Sequence, residues 1–151
     1  MKKRKGNELV KVLFTVYCVV MFWLLFGQRV GLDTSGDYSS QLKENANWVP
    51  LHTIRWYLSL PEKTNNPYLL RHALINLAGN IVMFIPLGYF LPRIWKDMQK
   101  LWKVFLLVFM CVVVVELLQL VTLLGSCDVD DVILNLMGTV IGYILWRILP
   151  K

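Results

Sequence analysis

Residues 101–124 read LWKVFLLVFMCVVVVELLQLVTLL. The run carries two charged side chains, Lys103 and Glu116, and its apolar residues go all the way round a helix instead of keeping to one face. At ~1.5 Å per residue it is long enough to cross a hydrocarbon core of ~30 Å. The solvent this stretch predicts is lipid. Three more stretches of the same character lie at about 9–27, 72–91 and 132–149. The whole chain agrees, with 151 residues, 56% of them hydrophobic, and a mean hydropathy of +0.52. That length suits one membrane domain over residues 1–151. The expected fold is an all-α membrane protein, a bundle of four transmembrane helices.

The charges give the bundle a direction. Lys2, Lys3, Arg4 and Lys5 precede the first span, and Arg93, Lys96, Lys100 and Lys103 flank the second connection. Arg147 and Lys151 close the chain, whereas residues 125–131 carry no Lys or Arg and hold Asp128, Asp130 and Asp131. Basic flanks stay inside. The expectation is therefore a multi-pass protein of the cell membrane with both termini cytoplasmic. The net charge of +6 is read as topology and contact with membrane lipids, not as nucleic-acid binding. Gly27-Gln28-Arg29 after the first apolar run offers no small-x-small cleavage site, so that run is expected to stay as a helix. The three cysteines form neither a disulfide framework nor a metal spacing, and no metal or cofactor is expected.

Between the first two spans, residues 33–47 are polar and expected to be irregular. Residues 48–60 turn amphipathic, with Leu51, Ile54 and Leu58 on one face and His52, Arg55 and Ser59 on the other. This predicts a short helix on the outer membrane surface or re-entrant into the bundle, ended by Pro61, with a turn at Asn65-Asn66-Pro67.

Polar side chains inside spans are costly and usually face the bundle interior. Asn76 and Asn80 share a face of the second span with Gly79 and Gly88. Glu116 and Gln119 share a face of the third, and Asp131, Asn135, Gly138 and Gly142 form one stripe along the fourth. By helical rise Glu116 lies about 10 Å below the outer surface, Asn80 about 12 Å and Asn135 about 6 Å. Matching depths on three helices predict one polar pocket opening outward, with Glu116 its deepest charge. The candidate ligand-binding residues are Asn76, Asn80, Glu116, Gln119, Asp128, Asp130, Asp131 and Asn135; the candidate acid–base groups are Glu116, Asp128 and Asp131. Structural roles compete. Asn and Gln can join helices, Gly138-x-x-x-Gly142 can admit close packing, and Asp128 with Asp131 fits an N-cap and third-position acid.

The chain resembles the VanZ-like family of small membrane proteins, named for an accessory determinant of teicoplanin resistance. The resemblance spans residues 10–146 and rests on several pieces in order. They are Asn47-Trp-Val-Pro50, then Asn76-Leu-Ala-Gly-Asn80 running on to Phe84-Ile-Pro86-Leu-Gly88, then Glu116-Leu-Leu-Gln119, and last Asp128-Val-Asp-Asp131 with Asn135, Gly138 and Gly142-Tyr143. Leu51 stands where members often carry Phe, and residues 125–127 lack an Arg many members have nearby. The resemblance implies a role at the cell envelope, in glycopeptide resistance or a related process, and implies no reaction. Three readings stay open. One is a non-enzymatic protein whose pocket binds a lipid headgroup or cell-wall precursor. The second is an intramembrane enzyme acting on such a molecule through Glu116. The third is a proton-coupled transporter.

Overall fold

A computed structural model of the chain describes residues 2–27 and 37–149, with side chains from Glu8 onward. The basic side chains before Glu8, the start of the first connection at residues 28–36, and the last two residues lie outside that description. Four helices are long and apolar enough to cross a membrane: α1 (Lys2–Phe26), α4 (Pro67–Ile94), α5 (Leu101–Val121) and α6 (Val129–Ile148). Two shorter helices, α2 (Tyr38–Glu44) and α3 (His52–Lys63), fill the first connection. The protein is an all-α, four-span membrane protein with an amphipathic helix in that connection.

The boundaries differ from the sequence expectation where local chemistry decides them. The second span was expected at 72–91 but the helix begins at Pro67, because the Asn66 side chain accepts the Tyr68 N–H (3.0 Å) and proline tolerates the first helical position. With 28 residues α4 is about 42 Å long, well beyond the ~30 Å apolar core. The third span was expected to reach residue 124 but stops at Val121. Leu123 there takes a left-handed φ of 54°, and the Thr122 N–H closes on the Leu118 carbonyl (2.9 Å). Pro61 does not end α3. The helix continues to Lys63, and the Thr64 N–H bonds to the Leu60 carbonyl (2.9 Å). Residues 38–44, expected to be irregular, form α2, capped by Asp37, whose carboxylate accepts from the Ser40 N–H (3.2 Å). Asp37 is held below its usual carboxylate range, first by the Ser39 hydroxyl and then by the Ser40 N–H. The Tyr38 hydroxyl donates to the Val121 carbonyl (2.8 Å), tying α2 to the end of α5.

The tightest helix pair is α4 with α6. A Cβ placed on Gly138 would stand 2.0 Å from the Ile81 carbonyl oxygen, one on Gly142 1.9 Å from that of Ile85, and one on Gly88 2.0 Å from that of Thr139. Gly138 and Gly142 meet Ile81 and Ile85 in the same order along both helices, so α4 and α6 run parallel with their backbones in contact, as small residues permit in lipid. Val104, Val108 and Val112 on α5 are buried at steps of four, and the same stripe continues to Glu116. That register turns the Glu116 carboxylate inward. The valines pack with Phe84, Leu91, Tyr143, Trp146 and Met21 of α1. Opposite faces of α5, such as Leu106, Met110 and Val114, are exposed, as lipid-facing positions should be. α1 leans on α4 through its Tyr17 hydroxyl, which donates to the Met83 carbonyl (2.8 Å) near Pro86, and through Phe14, stacked edge-on against Phe90 and Trp95.

α3 packs antiparallel to the first turns of α4, joined to it by a three-residue connection at 64–66. Leu60 is buried at its far end and Tyr57 stands beside His72, with ring centroids 6.3 Å apart. Just before α3, β1 (Ala46–Asn47) pairs in parallel with β2 (Cys127–Asp128), a two-residue ladder that the all-helical expectation did not include.

Candidate functional site

The polar residues singled out in the sequence gather at one end of the bundle, where α6 begins. Asp128 is the N-cap of α6, and its carboxylate accepts the Asp130 N–H at 2.8 Å. The same carboxylate accepts the Asn47 amide (3.2 and 3.3 Å) and the Thr53 hydroxyl (2.5 Å). In turn the Asp128 N–H donates to Glu116 Oε2 at 3.1 Å. Glu116 therefore meets α6 at its entry, where the oriented N–H groups and helix dipole favour negative charge.

Asp130 is fully buried and serves a different helix. Its two oxygens accept the N–H groups of Leu51 (2.5 Å) and Ile54 (3.0 Å), the open donors at the start of α3. Leu51, the residue before α3, is itself left-handed at φ 63° and offers no side-chain cap. Asp130 supplies the cap from across the molecule.

Asp131 points to α4. The Asn80 amide donates to its carboxylate at 2.5 Å and lies 3.4 Å from Asn76 Oδ1. Asn76, Asn80 and Asp131 are half-buried, whereas Glu116, Asp128, Asp130 and Asn135 are buried. Asn135, one turn beyond Asp131 on the stripe facing α4, is 4% exposed, and among the described residues its Oδ1 has no hydrogen-bond partner. Gln119 is buried too, but its amide goes elsewhere, to the Leu25 carbonyl at the end of α1 (2.9 Å). Arg71, the cation nearest in sequence to this end of α4, is exposed.

Three contributors escaped the sequence reading. Asn47 was visible only as part of a motif, and Thr53 and Tyr57 carried no signal, because their partners lie far along the chain. Tyr57 shows the local field. Its phenol is raised above its usual range by burial, and then by the negative charges of Asp131 and Asp128. The Cys127 thiol is likewise pushed up, by burial first and then by Glu116, Asp128 and Asp131. It is buried in β2, and its N–H donates to the Asn45 carbonyl (2.8 Å).

The arrangement divides the eight candidates. Asp128, Asp130 and Gln119 are engaged in holding elements together. Asn76, Asn80, Glu116, Asp131 and Asn135 present acceptors and amides from three helices near the start of α6.

No curated protein and no solved structure matches the chain. The family model described as VanZ/LLP1 matches residues 14–150, nearly its whole length. The chain is a member of the VanZ/LLP1 family.

Proposed function

We propose that this protein acts at the cell envelope by binding the headgroup of a lipid or a lipid-borne cell-wall precursor at the Glu116–Asp131–Asn80 cluster. The observation that carries the reading is convergence. Carboxylates from α5 and α6 and amides from α4 meet at one end of the bundle, and Asn135 keeps a buried acceptor without a partner among the described residues. Carboxylates and amide oxygens of this kind suit a ligand rich in hydroxyl or ammonium donors. The flanking charges favour both termini in the cytoplasm, which puts the cluster in the outer half of the cell membrane, where such headgroups lie. Family membership makes glycopeptide susceptibility, with teicoplanin as the probe, the phenotype to measure.

Two substitutions at Glu116 separate binding from architecture. Glu116→Gln keeps an acceptor for the Asp128 N–H but cannot ionise. Glu116→Ala removes the acceptor and leaves a void. The expected result is that Gln reaches the membrane at wild-type levels yet returns teicoplanin susceptibility to that of cells lacking the protein, while Ala also lowers the folded amount. A Gln variant with full resistance would refute a working carboxylate at this position.

A further inference from the structure

α3 turns a second polar surface away from the bundle. Its inward side holds Thr53, Ile54, Tyr57 and Leu60. On the opposite side His52, Arg55, Ser59 and Lys63 follow one another at steps of three and four, one continuous helical stripe. With Trp56, Val49 and Pro50 they line an open groove of about 440 Å³. Glu62 is the acid nearest this stripe on the helix, one turn-pair beyond Arg55 and exposed.

The packing of α3 on α4 sets the depth of this groove. Arg93 closes the last turn of α4 at the basic end of the bundle. An apolar core of ~30 Å measured back from it covers about 20 residues and ends near Ala73. His72 stands beside Tyr57, so the edge of the hydrocarbon crosses α3 at Tyr57. Leu51 and Ile54, bonded to Asp130 in the first turn of α6, then lie just inside that edge, and Ser59 and Lys63 lie above it. Trp48 is 62% and Val49 61% exposed at the deep tip, where only an apolar medium covers them without cost. Trp56 sits at the boundary, where tryptophan is favoured. Arg55 can bring its head up along its own stem to that boundary.

We propose that this groove seats the phosphate of an anionic membrane phospholipid. Arg55 and Lys63 face the phosphate, with the Ser59 hydroxyl between them and His52 as a further N–H donor. The glycerol and acyl chains run down over Trp56 to Val49 and Pro50. Two basic side chains about two turns apart at headgroup level, above an apolar floor, match the order of groups along a phospholipid. A soluble anion would leave the apolar end of the groove unused.

The test uses full-length protein reconstituted in vesicles of phosphatidylcholine and phosphatidylglycerol in equal parts, then counts retained lipids by native mass spectrometry. Wild type should retain phosphatidylglycerol in preference. Arg55→Gln and Lys63→Gln should each reduce that preference about fivefold, the effect expected of one basic residue at an anionic surface. Arg55→Lys should preserve most of it. Glu62→Gln, which deletes the neighbouring acid, should strengthen it, and this gain does not depend on how well the charge-deleted variants fold. Equal retention in wild type and the Arg55→Gln/Lys63→Gln double variant would overturn the proposal. So would displacement of the bound phosphatidylglycerol by inorganic phosphate, which would assign the groove to a soluble anion. Neither Glu116 nor the resistance phenotype enters this readout, so failure here leaves the acidic cluster's role standing.

Discussion

Asp130 and Glu116 are both buried carboxylates with opposite expectations. Asp130 carries no exposure and spends both oxygens on the backbone of α3. Asp130→Ala strands the Leu51 and Ile54 N–H groups in a buried site, at a cost of about 1–3 kcal/mol for each unsatisfied donor. The expected outcome is a lower thermal midpoint in detergent micelles and faster proteolysis at residues 48–51, where α3 comes loose. A protease pattern identical to wild type would show that α3 is held without this cap. The Asp128 cap was legible in the sequence, because an acid just before an apolar helical run and a second acid at the third position are local signals. The role of Asp130 was not. Its partners lie 79 and 76 residues away, and periodicity within a helix cannot register a bond made across the molecule.

Elements pair here through what side chains lack. Gly138 and Gly142 of α6 and Gly88 of α4 each sit where a methyl group would strike the facing backbone. A Cβ on Gly79 of α4 would meet nothing within 4 Å. These positions predict opposite outcomes for the same substitution. Gly138→Ala should force α4 and α6 apart and cost about 1–3 kcal/mol, typical of overpacking. Gly79→Ala should be neutral or gain up to about 1 kcal/mol from helix propensity. Unfolding in mixed detergent reads both, and a Gly138→Ala variant as stable as Gly79→Ala would contradict the backbone contact. The α6 stripe at 131, 135, 138 and 142 was readable because polar and small residues stand out in an apolar helix. The valine stripe of α5 at 104, 108 and 112 was not, since every neighbour is equally apolar and hydropathy does not separate a lipid face from a core face.

For the whole molecule, the span count followed from length and apolarity, and the helices bear it out. Span ends shifted by several residues, because caps and a left-handed leucine, not hydropathy, decide where a helix stops. The proposed orientation has its own check. Reporter fusions after residue 91 or 100 should read as cytoplasmic, and fusions near residue 125 as external. An external signal from residues 92–100 would invert the proposal and place the acidic cluster on the cytoplasmic side.

The crossing between β1–α3 and the start of α6 also constrains the order of assembly. Asn47, Leu51, Thr53 and Ile54 find their partners in Asp128 and Asp130, close to the end of the chain. At a synthesis rate of ~5–20 residues per second, those partners emerge roughly 4–16 s after the segment that needs them. Until then α3 has no N-terminal cap, and α4 lacks the parallel helix that packs against Ile81, Ile85 and Gly88. The first three spans enter the membrane as an unfinished bundle, and α6, made after them, is the helix that locks the first connection in place.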